Sequence, residues 1–151
     1  MPITFLRHAQ SNGNLGNPAK DSTLSQAGIE QARKISGDFD LIVCSTLRRT
    51  RQTLDESQII CKDIVFTDIC RENLDGNPNS QYNGEDVCVE NNEQIVNRVN
   101  LFIDYLTEKE KKYSKILVVS HCLFLRSLTG YFFNNCNVWT VTSVDVLKNP
   151  S

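Results

Sequence analysis

The chain has 151 residues, 40% of them hydrophobic and 23% charged, with a formal net charge of −2. That length fits one domain, 1–151, built around one core. The near-neutral balance gives no general pull toward nucleic acid or a membrane surface, and no apolar run approaches the ~20 residues that a membrane helix needs.

The N-terminal stretch MPITFLRHAQ carries Arg7 inside its only apolar run. It does not read as a signal peptide, and a cytoplasmic protein is expected. Six cysteines stand at 44, 61, 70, 88, 122 and 136 with no C-x-x-C pair. Reduced core thiols are the expectation. With two histidines in the chain, a zinc site would need scattered ligands, so no metal is expected. Oligomeric state is not readable.

In chain order, PITFL (2–6) predicts a strand that runs into Arg7 and His8. A polar Gly/Asn loop follows. Thr23 or Ser25 can cap a helix over 25–36, ended by Gly37. DLIVCS (40–45) predicts a buried strand, 46–57 a helix, and DIVFTDI (63–69) a third strand. Residues 73–90 form a loop longer than ordinary connections, which marks it as a functional candidate. The spacing of Ile95, Val99, Phe102 and Leu106 predicts a helix over 92–112. KILVVS (115–120) is the most apolar strand, 122–133 a mostly apolar helix, and 138–147 a closing strand. Alternating strands and helices imply an α/β fold: a three-layer α/β/α sandwich with a mostly parallel central sheet.

In such sheets ligands bind beyond the carboxyl ends of the strands. Both histidines are predicted there: His8 after the first strand and His121 after KILVVS. Arg7, at the end of a buried strand, needs an anionic partner that a phosphate would supply. The helix starting near Ser45 and Thr46 points backbone N–H groups at the same edge. Arg48, Arg49 and Arg51 spread around that helix, so one or two of them can face the site. Glu72, at the mouth of the long loop, could protonate a leaving oxygen.

Five segments, in order, resemble the histidine phosphatase superfamily with its phosphoglycerate mutase-like fold. LRHAQSNGN (6–14) resembles L-R-H-G-x-S-x-x-N. TLSQAGIEQA (23–32) resembles L-T-x-x-G-x-x-Q-A. CSTLRRTRQT (44–53) resembles S-x-L-x-R-A-x-Q-T and selects Arg49. CRENLDG (70–76) resembles L-x-E-x-x-x-G and selects Glu72. VVSHCLFLRSL (118–128) resembles V-x-S-H-G-x-x-x-R-x-L and selects His121. Ala9, Thr50 and Cys122 depart from the usual glycine, alanine and glycine. The last change sets a thiol beside the site.

The resemblance implies a phosphatase that needs no cofactor. His8 would attack phosphorus and become phosphohistidine. Arg7, Arg49 and His121 would hold the phosphoryl oxygens. Glu72 would serve as the acid, then help activate water. Ser11, Asn14 and Cys122 would line the pocket.

HCLFLRS (121–127) raises a competing reading, since cysteine-dependent phosphatases also place an arginine after His-Cys. Their loop needs five residues between cysteine and arginine to wrap a phosphate. Cys122 and Arg126 enclose three, all apolar, and Cys44 would meet Thr50 where arginine is required. His8 is therefore the expected nucleophile. A mutase must also hold a second acidic group. No Lys or Arg lies between Arg71 and Arg98, whereas Asp75, Glu85, Asp86, Glu90 and Glu93 do. Hydrolysis of a phosphorylated small molecule or phosphoprotein is favoured over phosphoglycerate mutase chemistry. A silent phosphate-binding member is the third reading.

Overall fold

Five strands form a single sheet in the order β3-β2-β4-β1-β5 in the computed structural model, which describes residues 2–17 and 19–148. The strands are β1 (Ile3–Arg7), β2 (Ser36–Ser45), β3 (Gln58–Thr67), β4 (Ile116–Ser120) and β5 (Val138–Val141). The first four run parallel, and β5 lies antiparallel on β1. The helices are α1 (Gln26–Arg33), α2 (Arg48–Glu56), α3 (Asn92–Glu110), α4 (Cys122–Thr129) and α5 (Asp145–Lys148).

Strand alternation divides the core. Ile3 and Phe5, Leu41 and Val43, and Ile116 and Val118 point to one face. There they meet Val99, Phe102, Ile103 and Leu106 of α3 and Phe124, Leu125 and Leu128 of α4. Phe102 and Phe124 pack edge to face with centroids 5.6 Å apart. Each such buried side chain contributes roughly 1.5–3 kcal/mol. Leu6, Ile42, Cys44, Leu117 and Val119 point to the other face, which Leu54 of α2 helps to cover. Ala9, Leu24 and Ala32 form a smaller cluster beneath α1.

Local chemistry starts and stops the elements. Asn91 and Gln94 form a capping box at the start of α3. Ser25 caps α1 by accepting from Gly28 N at 3.1 Å. Gly130, at φ 81°, ends α4.

Several boundaries differ from the sequence reading. α1 ends at Arg33, and Gly37 lies inside β2 instead of ending the helix. Pairing is the reason: Ser36–Phe39 align with Gln58–Cys61, which lengthens β2 and β3 together. α4 stops at Thr129 instead of reaching 133, because Gly130 takes the left-handed conformation. Beyond it the chain turns Phe133 back into the core. The strand expected over 138–147 ends at Val141 and is followed by a short helix. Val144 and Leu147, three residues apart, are both buried by that helical spacing. No helix among the described residues is long and apolar enough to cross a membrane.

Candidate active site

Sheet register brings the site together. Arg7 of β1 lies opposite Ser120 of β4, so the residues that follow, His8 and His121, leave adjacent strands at one level. Their rings stand 5.2 Å apart. Cys44 of β2 lies opposite Val119, which brings Ser45 level with Ser120. The Ser45 hydroxyl is 2.8 Å from His121 Nε2.

His8 is buried, and Nδ1 lies 2.6 Å from the Ala9 carbonyl oxygen. A carbonyl oxygen only accepts, so Nδ1 carries the proton. On Nε2, Arg49 Nε donates at 3.3 Å, which requires a lone pair there. Both neighbours select the same neutral tautomer. Burial first, then the charges of Arg49 and Arg7, hold the His8 pKa well below its ordinary value. The loop is pinned from α2, where Thr53 Oγ1 accepts from Ala9 N at 3.0 Å.

Arg49 is buried, and its Nη1 donates to Asn79 O at 2.7 Å. Burial lowers its pKa to about 10, which leaves it a cation at neutral pH. Arg7 Nη1 donates to Phe133 O at 2.8 Å. Arg7 Nε and His121 Nδ1 are buried and have no protein partner among the described residues. A bound anion would satisfy such orphaned groups. Burial, followed by the charge of Arg49, also pushes the His121 pKa well down.

Glu72 reaches the N-terminus of α4. Its Oε1 accepts from Phe124 N and Asn73 N, both at 2.9 Å, and Oε2 from Leu123 N at 3.2 Å. Those bonds favour the carboxylate, yet burial outweighs them and raises the pKa. That direction suits a group that must hold a proton.

Ser11 and Asn14 close a turn on each other, with Ser11 N donating to Asn14 Oδ1 at 3.0 Å. Asn135 joins this turn to the loop that carries His8: its Nδ2 donates to Asn14 Oδ1 and to His8 O, each at 3.2 Å. Residues 134–137 fall between the helix and the closing strand expected from the sequence, where an asparagine carries no signal of its long-range partner. Cys122 faces the cavity, but burial raises its thiol pKa, so it lacks thiolate character.

A cavity of about 200 Å³ is lined by Arg7, His8, Ser11, Asn14, Arg49, Glu72 and Cys122. The long loop completes its wall with Asp75, Asn77, Asn79 and Ser80. Every expected site residue except His121 lines the cavity; His121 is fully buried behind it, against His8. Arg48 and Arg51 lie elsewhere, and Arg48 caps off against Asp21. Among the described residues, no three His, Cys, Asp or Glu side chains gather as metal ligands.

Residues 3–72 match the family model of the histidine phosphatase superfamily (branch 1). Over that segment, a little under half of its length, the chain is similar to the histidine phosphatase superfamily. No curated protein matches the sequence. Among solved structures, the product of an open reading frame of Mycobacterium tuberculosis is 17% identical, with a TM-score of 0.70 over 92% of this chain and 89% of its own. The alpha-ribazole phosphatase of Shigella flexneri is 21% identical, with a TM-score of 0.69 over 93% and 89%. The phosphoserine phosphatase of Entamoeba histolytica is 18% identical, with a TM-score of 0.65 over 92% and 89%. At such identities these structures establish the shared fold, the mostly parallel, helix-flanked sheet of the phosphoglycerate mutase-like class.

Proposed function

We propose that the protein is a phosphatase that hydrolyses phosphate monoesters through a phosphohistidine on His8 and needs no metal for the step. The observation that carries this reading is the tautomer of His8, with Nδ1–H held by Ala9 O and the Nε2 lone pair directed at Arg49. Arg49 exchanges that lone pair for phosphoryl oxygens when substrate enters, and the nucleophile is released where the charge is neutralised. Nε2 attacks phosphorus and the bond from phosphorus to the ester oxygen breaks. Glu72 gives its proton to that oxygen, and the alcohol departs. The Glu72 carboxylate then takes a proton from water as the water oxygen bonds to phosphorus. The phosphorus–nitrogen bond breaks, phosphate leaves, and His8 and Glu72 regain their starting states.

Beyond the phosphate the cavity wall offers, among the described residues, Asp75, Asn77, Asn79 and Ser80 and no cation. Such a wall suits a hydroxyl- or ammonium-bearing leaving group better than one with a second anion. We therefore place the substrate among phosphorylated small molecules, with O-phosphoserine, whose ammonium can face Asp75 and offsets its carboxylate, closer to the class than phosphoglycerate. The neighbours named for phosphoserine and alpha-ribazole substrates are consistent with that class. The test is phosphate release from O-phosphoserine, p-nitrophenyl phosphate and 3-phosphoglycerate in chelator-treated buffer. The expected result is hydrolysis of the first two in excess of the third. Phosphate exchange between phosphoglycerates exceeding hydrolysis would establish mutase chemistry instead.

A further inference from the structure

Glu72 does not sit on a strand or a helix. It follows a short 3-10 turn (Asp68–Cys70) at the end of β3 and precedes the long loop. Something outside the segment must fix its carboxylate against α4. Arg98, on the second turn of α3, is placed to do so.

Its guanidinium has five N–H groups, and each has an acceptor. Nη1 donates to Ile69 O at 2.9 Å and Arg71 O at 2.7 Å. Nη2 donates to Asn73 Oδ1 at 3.2 Å and Glu90 Oε1 at 2.8 Å, and Nε to Glu90 Oε2 at 3.1 Å. Three of these acceptors bracket Glu72 in the chain. The cation also lies over the Phe124 ring, 4.8 Å from its centroid. Phe124 N is one of the groups that holds the Glu72 carboxylate. Arg98 therefore grips both halves of the acid's seat. Through Glu90, whose Oε1 accepts from Leu74 N at 2.9 Å, it also ties down the far end of the loop.

We infer that Arg98 is a positioning residue that holds Glu72 in register to protonate the leaving group. The inference rests on the reading of Glu72 as that acid. A planar fork with five donors makes this bracket, and a lysine point charge cannot.

A proton donor matters most when the leaving oxygen is basic. Hydrolysis of an alkyl phosphate such as O-phosphoserine depends on it strongly, and that of p-nitrophenyl phosphate weakly. The experiment compares kcat/KM on the two substrates for wild type, Glu72→Gln, Arg98→Lys, Arg98→Gln and Asn73→Ala, with a pH profile on O-phosphoserine. Glu72→Gln is expected to lose on the order of 10²-fold more on O-phosphoserine than on p-nitrophenyl phosphate. The Arg98 variants are expected to lose about tenfold more on O-phosphoserine and to shift the alkaline limb of the profile, which a general loss of folded protein would leave in place. Asn73→Ala removes one acceptor beside Glu72 and reads the same ratio if an Arg98 variant fails to fold. A selective loss in Glu72→Gln, with equal losses on both substrates in the folded Arg98→Lys and Asn73→Ala proteins, overturns the inference. No selective loss in Glu72→Gln itself would overturn the acid assignment on which it rests.

Discussion

A carbonyl oxygen and a guanidinium nitrogen together fix the protonation of His8, one at each ring nitrogen. Neither contact is visible in a sequence, where LRHAQ shows an arginine and a histidine at a strand end and no more. The residue types at the strand ends were legible because sheet topology gathers those ends. Which nitrogen attacks was not, because the Ala9 carbonyl and Arg49 arrive by backbone geometry and by α2. Burial of both histidines has a consequence for stability. Their folded pKa values lie below the ordinary 6.5, so the unfolded chain binds protons that the folded one excludes, and stability falls as pH drops below about 6.5. Glu72 runs the other way, its raised pKa favouring the folded state at lower pH, so the two histidines are opposed by one glutamate. Glu85 and Glu90, whose pKa values are lowered by Arg71 and Arg98, lose their contributions only as pH falls below the ordinary carboxylate value. As pH falls below about 6.5 the two histidines together drive a slope of up to about 2.8 kcal/mol per pH unit, about 1.4 for each proton, and the proton held by Glu72 opposes it. Urea denaturation between pH 6.5 and 5 measures it, and His121→Asn is expected to lower the slope by about 1.4 kcal/mol per pH unit, the value for one proton.

At the scale of elements, the strong periodic segments were readable and the ends were not. The α3 stripe appeared in the sequence because packing against one sheet face demands the 3.6-residue repeat. The ends of β2 and β3 did not, since those strands lengthen each other by pairing rather than by pattern. The long loop was legible as a candidate, but its wall residues were not. Its shape comes from Arg71 holding Ser80 O and Glu85, and Arg98 holding Glu90. Gly28 of α1 carries a testable packing constraint. A Cβ there would fall 1.9 Å from the Gln10 carbonyl oxygen, a backbone atom that cannot turn aside. That oxygen also accepts from Ser25 N at 3.0 Å. Gly28→Ala should therefore destabilise the protein by about 1–3 kcal/mol, although alanine is the better helix former by about 1 kcal/mol. A urea midpoint that rises in Gly28→Ala would contradict this packing.

Over the whole molecule, strand–helix alternation announced the fold class, and the first of the five ordered motifs fall in the segment that matches the histidine phosphatase family model. The strand order and the antiparallel placement of β5 came only with the structure, since local pattern does not encode which strands meet. The order matters because β4 lies between β1 and β2, and that places His8, His121 and Ser45 side by side. The central claim is that this convergence makes His8 the nucleophile. It is tested most directly by trapping the intermediate. Wild type, His8→Ala and Cys122→Ser would each be mixed with a radiolabelled phosphate ester, denatured in alkali within one turnover, and mapped by peptide. The account predicts label on the peptide that contains His8, stable in alkali and lost in mild acid, present in Cys122→Ser and absent in His8→Ala. Label on the Cys122 peptide, or wild-type labelling of His8→Ala, would contradict it.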